Sequence, residues 1–176
     1  MKLTKEHVQF PSAKALHPFV DTDIDEVEQE LRAICAELNF FFAHIDGKSI
    51  RNELDLFHTI EKVFMFPENY KATYQPNWDG IRDRLRDLEW LFERPVTGKI
   101  YSGCVVYYSE PLNLASEYNM IIFIDNMARL TQSFQERYHK ENKIPFHVFL
   151  GPVNFEILTI INTMTVHENV CRDELK

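Results

Sequence analysis

Three carboxylates, Asp79, Asp83 and Asp87, recur at four-residue steps inside the stretch QPNWDGIRDRLRDLEW, residues 75–90. On a helix they climb one stripe, where like charges repel by roughly 0.2–0.5 kcal/mol per pair. One chemistry that uses two close acids is glycoside hydrolysis. Asp79 and Asp83 would be separated by about 6 Å of helical rise. Yet glycosidase acids flank a cleft, usually from different elements, and one of them is buried to raise its pKa. Asp79 falls in the first helical turn, where the helix dipole favours the charged form. That suits a binding anion better than a general acid. The plain alternative is a solvated helix face, and the residues alone leave both readings open.

Other chemistry is thinner. The seven histidines are scattered. His44 and His147 fall on expected strands and read as core or edge residues. Glu136 and His139 form one E-x-x-H, whereas a di-iron bundle needs two copies and partner glutamates. None of the five glycines sits in a G-x-G-x-x-G or G-x-x-x-x-G-K pattern, and no G-x-S-x-G elbow occurs. Cys35, Cys104 and Cys171 lie far apart and form no Cys-x-x-Cys, which reads as reduced, buried thiols. No catalytic residue, metal ligand or cofactor is therefore assigned, and the chain is read as a non-enzyme.

Composition bounds the partners. The chain has 176 residues, 45% hydrophobic, with 14 Phe, enough for one domain with a real core. Its 27 acids outnumber 19 bases, for a net charge of −8. That argues against direct nucleic-acid binding, which needs a basic face. It favours a basic partner, because opposite fields steer encounter, or it serves solubility alone. Lys2 and Lys5 are followed by no apolar signal core. No apolar run approaches the roughly 18 residues of a membrane span. The terminal Asp-Glu-Leu-Lys is not the endoplasmic retrieval order. A cytoplasmic, membrane-free protein is expected.

The elements that must position these residues are mostly marked. Ile24, Val27, Leu31, Ile34 and Leu38 predict a helix over 24–38, capped by Asp23 with Glu26 three residues on. NFFFAHIDG predicts a buried strand. A helix is expected from Glu53 to Phe64, capped by Asn52 and stopped by Pro67. Residues 67–76 form a loop carrying Tyr70 and Tyr74. Asn77 caps the acid-bearing helix, whose core stripe is Trp78, Ile81, Leu85, Leu88 and Phe92, ended by Pro95 and Gly98. IYSGCVVYYS predicts a strand, 119–140 a long helix (with 120–124 as an alternative strand), and IPFHVFLG a strand. FEILTIINTMTV fits strand or helix. Strands separated by helices predict an α/β layer with a parallel sheet and right-handed crossovers.

Taken in order, these motifs resemble the barstar family, inhibitors of bacterial ribonucleases related to barnase. The resemblance is carried by Ile45-Asp46-Gly47, then Phe66-Pro67-Glu68-Asn69-Tyr70, then Asn77-Trp78-Asp79-Gly80-Ile81. SFQERY and IPFHVFL are similar to the family's last helix and strand. The resemblance implies a barstar-like α/β fold of three-layer type, with a small three-stranded parallel sheet packed by helices, over residues 39–151. Residues 1–38, with one helix, and 152–176 become extensions that extend the sheet or add contacts. It also implies inhibition without catalysis: an acidic helix and the loop before it plug a nuclease site. By position Asp79 and Asp83 match the two helix acids that meet the enzyme, the second at the substrate phosphate position, and Glu136 matches a further acidic contact. The implied contact set is Tyr70, Tyr74, Trp78, Asp79, Arg82, Asp83, Arg86 and Glu136. The implied partner is a toxic enzyme, a secreted or contact-delivered ribonuclease, met by a chain that is monomeric beforehand. The alternatives are a regulatory interaction module of the same fold and an immunity protein against a different toxin. Two departures stand out. The 70–77 loop is longer than the family's and lacks its glycine. Arg82 stands where an aromatic is common, so Arg82 or Arg86 would pair with target acids.

Overall fold

A computed structural model describes residues 3–10, 16–21, 23–68, 76–93, 98–111, 117–137 and 144–163. The elements run β1 (Leu16–Pro18), α1 (Ile24–Leu38), β2 (Phe40–Asp46), α2 (Glu53–Val63), α3 (Trp78–Asp87), α4 (Glu89–Phe92), β3 (Gly103–Ser109), α5 (Glu117–Arg137) and β4 (Phe146–Gly151). A last helix, α6, covers 155–163 within the described residues. Single 3-10 turns occupy Lys5–His7 and Gly47–Ser49.

The predicted caps are made. Asp23 accepts from the amides of Asp25 and Glu26, Asn52 from Asp55 and Asn77 from Gly80. Each satisfies a donor that the first helical turn leaves open. Residues 120–124 are helical, so the strand alternative there is not adopted, and the 155–163 segment resolves as helix.

The sheet corrects the expectation of three strands. Among the described residues it has four, all parallel, in the order β1-β4-β3-β2. The fourth is β1, a three-residue Leu-His-Pro edge strand in register with Val148–Leu150. Pro18 lacks the amide that a central strand needs, and an edge tolerates that loss. So short a strand carries no alternation to read. Beyond it the pairing persists, with Phe19 N–H donating to Leu150 O and Val153 N–H to Phe19 O. Strands β3 and β4 are buried along their whole length, because helices cover both faces. On one face α1 and the N-terminal segment pack Leu3, Val8, Val27 and Leu31 against Phe40, Tyr107 and Phe149. On the other, α2 to α6 form the larger core around Phe64, Phe123 and Phe134.

A second correction concerns the acid-bearing helix. It does not run unbroken to Phe92. Leu88, fully buried, adopts a left-handed conformation (φ 36°) and separates α3 from α4. Burial of the Leu88 side chain holds a backbone state that leucine otherwise disfavours. The Gly47 of Ile-Asp-Gly has an equally local cause. A Cβ there would lie 2.3 Å from the Glu110 carbonyl oxygen and 2.5 Å from that of Ser109. The β2 exit and β3 exit close together only with glycine between them.

Cys35 and Cys104 are buried and unpaired, and burial pushes the Cys35 thiol up to about 12. Cys171 lies outside the described residues.

The β1–β4 joint is built on two imidazoles. His17 Nε2 lies 3.1 Å from His147 Nδ1, and His147 Nε2 donates to Phe10 O at 3.0 Å. Burial, then His147 and His7 nearby, lower the His17 pKa from 6.5 to about 4. The unfolded chain therefore binds more protons between those two values, so stability falls as pH drops through the window from 6.5 to 4. The expected loss from His17 is up to about 3 kcal/mol by pH 4. Urea midpoints at pH 7 and 4.5 measure it, and His17→Gln is expected to flatten the slope relative to wild type. An unchanged slope would show that the pair does not drive the acid response.

Candidate functional site

The candidate site is the outer face of α3, and the inner face seats that helix on its neighbours. Ile81 and Leu85 are fully buried and seat the helix on α2 and α5. Trp78 is half-buried: its indole N–H donates to Glu53 Oε1 at 2.7 Å. The same ring meets Phe57 edge-on at 5.1 Å and Phe123 at 6.3 Å. The Asn77 cap and this clamp fix the first turn between α2 and α5. At the other end the Trp90 indole N–H donates to Phe64 O at 2.8 Å.

Outward, the helix shows Asp79, Arg82, Asp83 and Arg86. The Asp79 side chain is 83% exposed, and the Arg82 guanidinium lies 2.7 Å from its Oδ1. Asp83, one turn on, is exposed, and among the described residues no ion pair holds it. Arg86 and Asp87 are also exposed. Across α3 three acids (Asp79, Asp83, Asp87) face three bases (Arg82, Arg84, Arg86). The helix read as acidic is thus formally neutral.

The structure gathers only part of the expected contact set. Trp78, Asp79, Arg82, Asp83 and Arg86 share α3. Tyr70 and Tyr74 lie outside the described residues. Glu136 is in the last turn of α5, and its side chain lies outside the described residues. Along α5, Phe123 packs on Trp78 while Phe134 packs on Phe92, about 16 Å further down the axis. Glu136 therefore stands toward the α4 end of the face, not beside Asp79.

One constellation was not legible in sequence. Glu28 Oε2 lies 3.2 Å from His44 Nδ1, and His44 Nε2 lies 2.9 Å from Ser109 Oγ. Acid, imidazole and hydroxyl stand in the order of a nucleophilic triad. Ser109 is only 2% exposed, however, and the next amide, Glu110 N–H, is bonded to Gly151 O. Neither substrate access nor an oxyanion donor is offered there. The set ties α1 to β2 and β3, with the His44 ring stacked on Tyr107. The partners are 65 residues apart in sequence, so no local motif announces them.

Among the described residues, no group of three or more His, Cys, Asp or Glu could hold a metal ion. None of their helices is long and apolar enough to cross a membrane.

A family model described as Barstar (barnase inhibitor) matches residues 40–151. The match begins at β2 and ends with β4, so α1 and β1 lie before it. No curated protein matches the sequence. Among solved structures, the chain is similar to Cdc6p from Pyrobaculum aerophilum, with a TM-score of 0.52 at 16% identity. That similarity covers 85% of this chain and 35% of the other, so the chain spans about a third of that protein's length. At such identity the likeness is one of fold alone.

Proposed function

The chain belongs to the barstar family, and from that premise we propose that it is an inhibitor of immunity or antitoxin type that occludes the active site of a toxic ribonuclease. It acts in the cytoplasm, as a monomer until the target arrives, and does no chemistry itself. The observation that carries this reading is the α3 face: Asp79 and Asp83, one turn apart, on a helix clamped by Asn77, Trp78 and Glu53. A ribonuclease site must hold cations for phosphate. A carboxylate set rigidly into it makes charge-assisted hydrogen bonds in place of the substrate. Rigidity lowers the ordering cost of binding, and the net charge of −8 speeds encounter with a basic enzyme. Tyr70, Tyr74, Arg82 and Arg86 line the contact, Glu136 adds a peripheral acid, and Trp78 anchors the helix.

The neutral charge count of α3 favours one second reading, an immunity protein against a toxin of different chemistry. Titration into a panel of small secreted ribonucleases, barnase included, separates the two. We expect stoichiometric loss of RNA cleavage with at least one enzyme. Full activity of every enzyme at excess inhibitor would reject the ribonuclease reading.

A further inference from the structure

We infer that residues 3–10 and β1 form an acid-released strap: protonation of the His17–His147 pair detaches both from α1 and β4 and leaves the α3 face in place. The strap is held at few points. Leu3 and Val8 are its only buried side chains, and both sit on the smaller core. The Leu3 amide donates to Glu30 Oε2 at 3.0 Å, and Lys5 pairs with Glu37, so two ties run to α1. The tie to the sheet is His147. It is fully buried on β4, its Nε2 donates to Phe10 O, and its ring also meets the Val8 carbonyl. β1 hangs from the same ring through His17, and from the bonds around Phe19. One imidazole pair thus fastens both segments.

The Phe10 carbonyl fixes the tautomers. A ring nitrogen bonded to a carbonyl carries the proton, so His147 Nδ1 is the bare acceptor and His17 Nε2 the donor. A proton added to His147 Nδ1 sets two N–H groups against each other. A proton added to His17 Nδ1 keeps the bond but creates a half-buried cation. That cation faces His147 on β4 and His7 on the N-terminal turn, with the Phe149 ring stacked on it at 4.5 Å. Among the described residues no carboxylate is in ion-pair contact with either ring. On α1, Glu30 is bonded by the Leu3 amide and Glu37 by Lys5. Either protonated form is relieved by water, and the sheet edge opens most readily to admit it. β1 has three residues and pairs on one side among the described residues, whereas β4 is paired on both. The larger core, which seats α3, lies on the opposite face of the sheet. With His17 titrating at about 4 in place and 6.5 when released, the opening constant of the strap is expected to rise about 30-fold from pH 7.5 to pH 5.

Native-state hydrogen exchange of the full chain tests this, with rates corrected for the intrinsic effect of pH on exchange. The amides of Val8, Gln9 and Phe19 are each bonded in the closed state and are expected to show the rise. Those of β2 and β3 are expected to keep their protection. His17→Gln retains a polar side chain that does not titrate, and it is expected to hold the rise to under about threefold. Val8→Ala loosens the strap without touching either imidazole, so it is expected to raise opening equally at both pH values. A flat wild-type profile at Val8, Gln9 and Phe19 would overturn the inference. So would loss of protection in β2 and β3 in step with the strap, because that is unfolding of the whole domain. A full 30-fold rise in His17→Gln would remove the imidazole pair as its cause. The first two outcomes are read on wild type alone, so they decide the matter even where a variant does not fold.

Discussion

Asp83→Ala is expected to weaken binding to the target ribonuclease by about 2–5 kcal/mol, roughly 30-fold to several thousand-fold in Kd. That range draws on the barnase–barstar pair itself. The argument is one of availability. Asp83 is exposed on a fixed helix, and no ion pair holds it among the described residues, so its whole charge can meet an incoming cation. Asp79 must first leave Arg82. Truncating Asp83 would strand a target cation in a cleft emptied of water, and an unpaired buried charge is costly. Asp87 lies one turn further along, next to the Leu88 break, and Asp87→Ala is expected to change binding by less than about 0.5 kcal/mol, as surface substitutions commonly do. Isothermal titration of both variants measures the contrast. Equal, wild-type affinity of the two would remove α3 as the contact.

Trp90→Ala is expected to destabilise the fold by about 3–5 kcal/mol. Trp90 is 3% exposed, stacks edge-on against Phe66 at 5.3 Å, and donates its indole N–H to Phe64 O. Removal leaves a cavity where α4 meets the end of α2, and it strands a buried carbonyl. Trp90→Phe keeps most of the volume and loses the donor, so a smaller cost of about 1–3 kcal/mol is expected. Urea unfolding of the three proteins reads both numbers, and a loss under about 1 kcal/mol for Trp90→Ala would contradict this packing. The two substitutions are complementary. Asp83→Ala is expected to spare stability and damage binding. Trp90→Ala damages stability, and binding follows only through the folded fraction.

What was legible in sequence was local. Asp23, Asn52 and Asn77 announced their helices because a cap bonds within three residues of itself. The strands around Phe40–Asp46, Gly103–Ser109 and Phe146–Gly151 showed as apolar runs because helices cover both sides. The features that escaped depend on distant chain. β1 exists because β4 offers it an edge and His147 a partner, not because Leu-His-Pro favours a strand. The break at Leu88 is held by burial, and its neighbours in sequence continue the helical pattern across it. For the site, the acid stripe was visible, and so was the resemblance it carries. The Asp79–Arg82 pairing obeys the same spacing rule, at i and i+3, but Asp83 and Arg86 share that spacing, so spacing alone does not say which pair forms. Tyr70 and Tyr74 lie outside the described residues, and Glu136 contributes only a backbone position.

The most direct test of the central claim is steady-state RNA cleavage by a ribonuclease that the panel selects, at varied substrate and inhibitor. Occlusion of the active site by α3 predicts competition: the apparent KM rises with inhibitor while kcat holds, and excess RNA restores the rate. A fall in kcat at constant KM, or tight binding that leaves cleavage untouched, would contradict it.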